Sequence, residues 1–243
     1  MLGLGNTISA DYKPVFLDDY SLQFNGSDEY IQLSGTVGEI AQETGSVSVW
    51  VKGEAVSGST TIFACSADSS NFIRIWWWNG QTKIAFTVKA GGTSLTATVS
   101  DTDFETDDLW HHIGVTWDFG DADEIKLYYD GTLKDTQSGL ATWSGTIDAA
   151  TIAVNSWSAA SYHKGKINDF ALFDAVVDVS SFYTTPGGIE GKTSDLRTEF
   201  DISASLITYY KFEEGVGAIA GDDSPYLNRG TLTNTPTWST DTP

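Results

Sequence analysis

An all-β fold, two antiparallel sheets packed as a sandwich, is what this sequence predicts, and three observations lead there. Runs of Val, Ile, Thr and aromatics alternate with polar residues at a period of two, the spacing of half-buried strands, and helix-period stretches are hard to find. Turn residues return at short, regular intervals between those runs, as in a sandwich of short strands. A 40% hydrophobic fraction with 9 Trp, 10 Tyr and 12 Phe in 243 residues is enough to fill a core and excludes global disorder.

Taken in order, residues 1–19 form an arm without periodicity. It reads equally as a flexible terminus and as a docking arm, since Leu2, Leu4, Ile8, Val15, Phe16 and Leu17 are more apolar than a solvated tail requires. From Tyr20 the strands begin. SLQFNGSDEYIQL (21–33) reads as a hairpin turned at Asn25-Gly26. SVSVWVK (46–52) sets Val47, Val49 and Val51 on one face and Trp50 on the other. Strands are expected over 60–65, 72–78, 83–88 and 93–99. In FIRIWWWN, Phe72, Arg74, Trp76 and Trp78 share one face, while Ile73, Ile75 and Trp77 share the other.

The stretch LWHHIGVTWDFGDADEIKLYYDGTLKD (109–135) organises the rest. Ile113, Val115 and Trp117 match a stripe of Ile125, Leu127 and Tyr129 on the returning strand, with Gly120-Asp121 and Asp130-Gly131 as turns. Strands follow at 150–157 and 163–177, the latter with Ile167, Asp169, Ala171 and Phe173 on one face and Asn168, Phe170 and Leu172 on the other. Residues 184–205 carry Pro186-Gly187-Gly188 and read as an irregular surface connection. LITYYKFEEG (206–215) is again a strand, and the remainder is loop-rich. A piece as short as 206–243 could hardly build its own core, so it is expected to complete the sandwich of 20–183, within the chain or by exchange with a second copy.

Charge and cysteine content narrow the function. With 33 acidic and 13 basic residues the net charge is −20, which repels nucleic acid and anionic membranes and otherwise serves solubility or cation binding by clustered carboxylates. Cys65 is the single cysteine, so neither an intrachain disulfide nor a cysteine metal site is available. The start, MLGLGNTISADYK, lacks the basic and apolar regions of a secretory signal, and no run reaches a membrane-spanning length. Manufacture in a cytoplasm is the expectation.

His111 and His112 point to opposite strand faces and cannot both ligate one metal from regular geometry. No nucleophile elbow, Cys–His arrangement or phosphate loop is present. No strand face carries the close carboxylate pair of a retaining glycosidase, so the chain is expected not to be an enzyme. Aromatic rings that stack on sugars remain, and Trp77 or Trp157 is the expected exposed, glycan-contacting ring.

SLQFNGSDEYIQL, SVSVWVK, LWHHIGVTWD, KLYYDGTLKD and GKINDFALFD, in that order and spacing, resemble the laminin-G-like family of the concanavalin A-like jelly-roll superfamily. The tail ITYYKFEEGVGAIAGDDSPYLNRGTLTNTPTW resembles the segment that usually precedes SLxFxG there, so the family's N-terminal strand would be relocated to the C-terminus. This layout is similar to structural proteins of tailed-bacteriophage virions. The resemblance implies a capsid decoration or fibre component, located in the virion after synthesis in the host cytoplasm. It would be anchored to other virion proteins through the 1–19 arm and assembled as a homo-oligomer. A glycan-binding adhesion module is the alternative, and a polysaccharide-degrading enzyme the third reading. The resemblance also implies Ca2+, held by the acidic tail loop through Glu213, Asp223 and Asn228 with Asp169, or by Asp68 with Asn71. Ca2+ takes six to eight oxygens, usually from loops. SPYLNRG stands here where the family has SGNGNDG, and Arg229 is added.

Overall fold

The computed structural model describes residues 18–139, 141–183, 196 and 204–243. The chain is all-β, as the alternation predicts, and every strand pairing is antiparallel. The first sheet runs β10 (Thr132–Ser138), β9 (Glu124–Tyr129), β8 (His111–Asp118), β3 (Thr44–Gly53), β12 (Lys164–Phe173), β1 (Ser21–Asn25) and β16 (Thr237–Ser239). The second runs β14 (Ile219–Ala220), β15 (Gly230–Thr233), β2 (Tyr30–Gln32), β11 (Ala149–Ile152), β4 (Thr60–Asp68), β5 (Asn71–Trp78), β6 (Lys83–Ala90) and β7 (Thr93–Ser100). No helix among the described residues is long and apolar enough to cross a membrane.

The central hairpin forms with the anticipated register: Ile113 faces Tyr129, Val115 faces Leu127 and Trp117 faces Ile125. All six side chains lie in the core between the sheets. Two local expectations are corrected. Residues 21–33 are not a hairpin, because β1 pairs with β12 and β16 in the first sheet while β2 pairs with β11 and β15 in the second. The Asn25-Gly26 turn is instead a corner between sheets, closed by Asn25 Oδ1 accepting from the Ser27 and Asp28 amides and by Glu29 accepting from the Asn25 amide. The alternation assigned to residues 163–177 also breaks. A bulge between Asn168 and Ala171, with Asp169 at φ +48, shifts the register. A bulge inserts a residue and exchanges the faces beyond it, so Ile167, Phe170 and Leu172 face the core together, while Ala171 and Phe173 turn outward.

The tail feeds both sheets. β13 (Leu206–Tyr210) pairs with β12 beyond the bulge, in the same chain, along the edge that β1 leaves free. β14 and β15 extend the second sheet past β2, placing Leu232 and Ala220 in the core, and β16 closes on β1. Asp241 fastens this last strand. Its carboxylate accepts from Lys52 at 2.9 Å, Lys166 at 3.0 Å and the Trp110 indole N–H at 3.0 Å. Burial alone would raise its pKa, but Lys52, Trp110 and Lys166 hold it down at about 2. Asp241→Ala is expected to cost on the order of 1 kcal/mol, since the cluster is partly solvated. A thermal melt should then fall by about 2–4 °C, and an unchanged melt would remove the latch role.

The first sheet's outer face is covered. Val179 and Phe182, from a 3₁₀ turn at Val179–Phe182, pack with Phe173, Leu206, Tyr209 and Leu196 in a second apolar cluster. Tyr183 stacks on Trp50 at 5.6 Å. Among the described residues, no comparable apolar cluster lies over β5 and β6 of the second sheet, whose outer side chains are mostly half-buried, with Trp78 exposed.

Candidate functional site

β5 builds the site by strict alternation. Ile73, Ile75 and Trp77 point inward and are at most 2% exposed, while Phe72, Arg74, Trp76 and Trp78 point outward. Trp77, expected as an exposed ring, is a core residue that packs against Phe104 at 5.0 Å. The reason lies in the strand itself: the face with a charged residue, Arg74, is the wet one, and Trp77 sits on the other. Trp78, at 36% exposure, and half-buried Trp76 take the place given to Trp77.

The outward rings form a continuous strip. Trp76 and Trp78 stack at 5.1 Å and 26°. The Trp76 indole N–H donates to Thr87 Oγ1 at 3.0 Å, and Thr87 is bonded in turn to Thr96 on β7. At the other end Trp157 lies on Phe72 at 4.0 Å and 21°. Trp157, expected as an exposed ring, is half-buried on the same face. Its loop is fastened by Thr61 donating to Asn155 Oδ1, by Ser156 donating to Ser66 Oγ, and by the Thr61 amide donating to Ser161. Between the two ring pairs lies Arg74, its guanidinium carbon 4.5 Å from the Trp76 ring centre and 5.9 Å from that of Trp157. Arg74 Nε donates to Thr61 Oγ1 at 2.9 Å. Burial lowers the Arg74 pKa to about 10, which leaves it charged at neutral pH. Exposed rings held rigidly by hydrogen bonds and stacking offer flat apolar surface to the C–H faces of sugars.

The implied calcium ligands do not converge. Glu213 Oε2 accepts from the Asp19 amide, Asp223 pairs with Lys211 at 2.6 Å, and the Asn228 amide group donates to Ile207. Asp169 is buried at the β12 bulge. The tail loop is closed by a residue outside the expected set: Asp222 accepts from the amides of Tyr209, Ser224 and Asn228 and from the Ser224 hydroxyl. Asp68 is exposed and accepts from the Ser70 amide and from Asn71. Asn71 Oδ1 is saturated by the Gly91 amide, the Ser144 amide and the Ser144 hydroxyl, which tie three turns together. Among the described residues, none of these side chains joins a group of three acidic or histidine ligands.

The one such group, Asp101, Asp107 and His111, is already paired. His111 Nδ1 meets Asp130 at 2.9 Å and Nε2 meets Asp107 at 3.0 Å, and Tyr129 donates to Asp101. Burial would lower the His111 pKa, but Asp130 and Asp107 hold it up at about 9. An imidazolium with both nitrogens bonded to carboxylates is not a metal ligand. His112, on the opposite strand face, bonds Ser48 Oγ at 2.8 Å and is fully buried. A cleft of about 500 Å3 between residues 37–44 and Thr146–Ile147 shares no residue with the aromatic strip and has no aromatic in its lining.

Known proteins were then compared. The model of a family described as the concanavalin A-like lectin/glucanases superfamily matches residues 25–181. No curated protein matches the sequence. Among solved structures, a Bacteroides ovatus protein described as a candidate carbohydrate binding protein superposes with a TM-score of 0.63 at 15% identity, covering 92% of this chain and 60% of that one. This chain thus spans about 60% of that protein's length. The CBM40 of the Ruminococcus gnavus IT-sialidase superposes with a TM-score of 0.55 at 14% identity, over 65% of this chain and 91% of the module. Domain 4 of an extracellular arabinanase from Geobacillus stearothermophilus, solved with arabinotriose, gives 0.52 at 19% identity, over 66% and 75%. At these identities the likeness is one of fold.

Proposed function

Because the chain belongs to the laminin-G-like family of the concanavalin A-like lectin/glucanases superfamily, we propose that it is a non-catalytic glycan-binding module whose contact surface is the outer face of the second sheet. The observation that carries this is the open strip of Phe72, Trp76 and Trp78 on β5, extended by Trp157. The opposite sheet is covered on its outside, so this face is the one a chain of sugars can lie along. Neighbours of the same fold, one described as a CBM40 module and one a domain solved with arabinotriose, support the reading. No catalysis is proposed at the strip, since Asp68, at the end of β4, is the only carboxylate within β4 to β7. Display of the module on a tailed-phage particle, the reading the layout led to, would put the same face to use in adhesion. The comparisons favour the binding role and do not bear on a particle, on residues 1–17, which lie outside the described residues, or on an oligomer.

Trp78→Ala tests the proposal. An exposed stacking ring contributes about 1 kcal/mol, so binding to a positive oligosaccharide from a glycan array should weaken roughly fivefold, with the thermal melt unchanged. Full affinity in the variant, or no binding by the parent chain to any glycan, would sink the assignment.

A further inference from the structure

The strip carries a charge pattern at odds with the rest of the molecule. In a chain of net charge −20, β4 to β7 hold Arg74, Lys83 and Lys89 against the single acid Asp68. Lys83 pairs with Trp78 across β5 and β6, and Lys89 with Phe72, so both cations flank the aromatic row. Lys89 Nζ lies 5.8 Å from the Phe72 ring and donates to the Ser69 carbonyl. Elsewhere among the described residues Lys52, Lys126, Lys166 and Lys211 each meet a carboxylate, whereas Lys134, Lys164 and Arg229 do not. Among the described residues, Arg74, Lys83 and Lys89 meet none.

Arg74 is the sharpest case. Only its Nε is hydrogen-bonded within the protein, to Thr61. Nη2 is shut off from solvent with no acceptor. A guanidinium taken out of water without a counter-charge is unfavourable, and among the described residues no carboxylate pairs with it. Folding alone would favour an apolar residue or a paired one at this position. With Nε and Nη2 turned into the protein, a charged guanidinium set between indoles still offers a carboxylate its remaining nitrogen and its positive charge.

From this we infer that the strip selects a carboxylated sugar, its ring stacked on Trp76 and Trp78 and its acid group drawn to Arg74, with Lys83 and Lys89 at the flanks. The inference rests on the glycan-binding proposal and deepens it. A carboxylate attached directly to a sugar ring stays close to the stacking plane, which suits a cation lying over the neighbouring indole. The overall negative charge repels anions at long range, so selection by contact should be clearest with short ligands.

The test is isothermal titration of the full chain with backbone-matched pairs: trigalacturonate against its methyl ester, and sialyllactose against lactose. A sulfated lactose forms a third arm. A carboxylated member should bind about tenfold or more tightly than its neutral match, as expected for a charge-assisted hydrogen bond. Arg74→Gln should abolish that preference. Because Arg74 also bonds Thr61, the surface pair Lys83→Ala and Lys89→Ala serves as a second variant and should reduce the preference severalfold with the melt unchanged. Equal affinity for charged and neutral members, with Trp78→Ala weakening both, overturns the acidic selection and leaves the glycan module standing. A preference for sulfate alone overturns the carboxylate assignment. No binding in any arm overturns both.

Discussion

Lowering the pH from 6.5 to 4 is expected to strip this protein of about 5 kcal/mol, a large part of the stability of an ordinary domain. Two buried histidines are responsible. Burial pushes the His112 pKa down to about 4 and that of His163 to about 3, against 6.5 when solvated. His112 is held neutral behind Trp50, with Nε2 on Ser48 and no acceptor for Nδ1. His163 is sealed against Phe24 at 6.4 Å. A group whose folded pKa is depressed binds its proton more readily in the unfolded chain. Its contribution is therefore complete above pH 6.5 and is lost as pH falls toward the folded value. With both titrating together, stability should fall by about 2.7 kcal/mol per pH unit, twice the single-proton slope. Asp241, held at about 2, adds a further loss below its ordinary value of 3.8.

His111 has the opposite sign. Its folded pKa of about 9 lies above 6.5, so its contribution is complete below pH 6.5 and fades as pH rises through 9. Stability should peak near pH 6.5. Urea midpoints measured across pH 4–10 test this, and His163→Leu should roughly halve the acid slope. A flat profile between pH 6.5 and 4.5 would remove the two histidines as the cause.

Legibility of the fold from sequence followed how local the deciding interaction is. The 109–135 hairpin could be read because each residue's face follows from its neighbours and both turns are short. The corner at Asn25-Gly26 could not. The same turn residues and alternation precede a strand that returns to its own sheet and one that crosses to the other, and only the partners β12 and β11 decide. The bulge at Asp169 is likewise a tertiary compromise, where β12 changes partner from β1 to β13. β14, β15 and β16 are two to four residues long and exist through their neighbours. At the site, the alternation of FIRIWWW was legible. Three consecutive tryptophans offer no preference among themselves, and Arg74 alone marks which face of the strand is wet. Its value as an unpaired cation appears only once the partners of every other charge are known.

Gly45→Ala should be strongly damaging, costing about 3 kcal/mol, at the upper end for an overpacked core. Gly45 faces Trp117 across β3 and β8, and the indole lies flat over the space its missing side chain leaves. A Cβ there would sit 2.1 Å from Trp117 Cζ2 and 2.5 Å from Cη2. The ring cannot retreat easily: Trp117 is fully buried, with Phe86 beyond it at 6.4 Å and Ile125 beside it on β9. A fall in melting temperature of about 6–12 °C should result. The mechanism is tested by its relief. Trp117→Phe alone leaves a void and should cost about 2 kcal/mol, softened because it removes an indole N–H that has no acceptor. Combined with Gly45→Ala, the added methyl enters the void, and the pair should be more stable than the sum of the singles by about 1–2 kcal/mol. Strict additivity would show that Gly45 is required for its backbone and not for the ring it accommodates. With no positive φ at that position, steric accommodation of Trp117 is the reading the geometry supports.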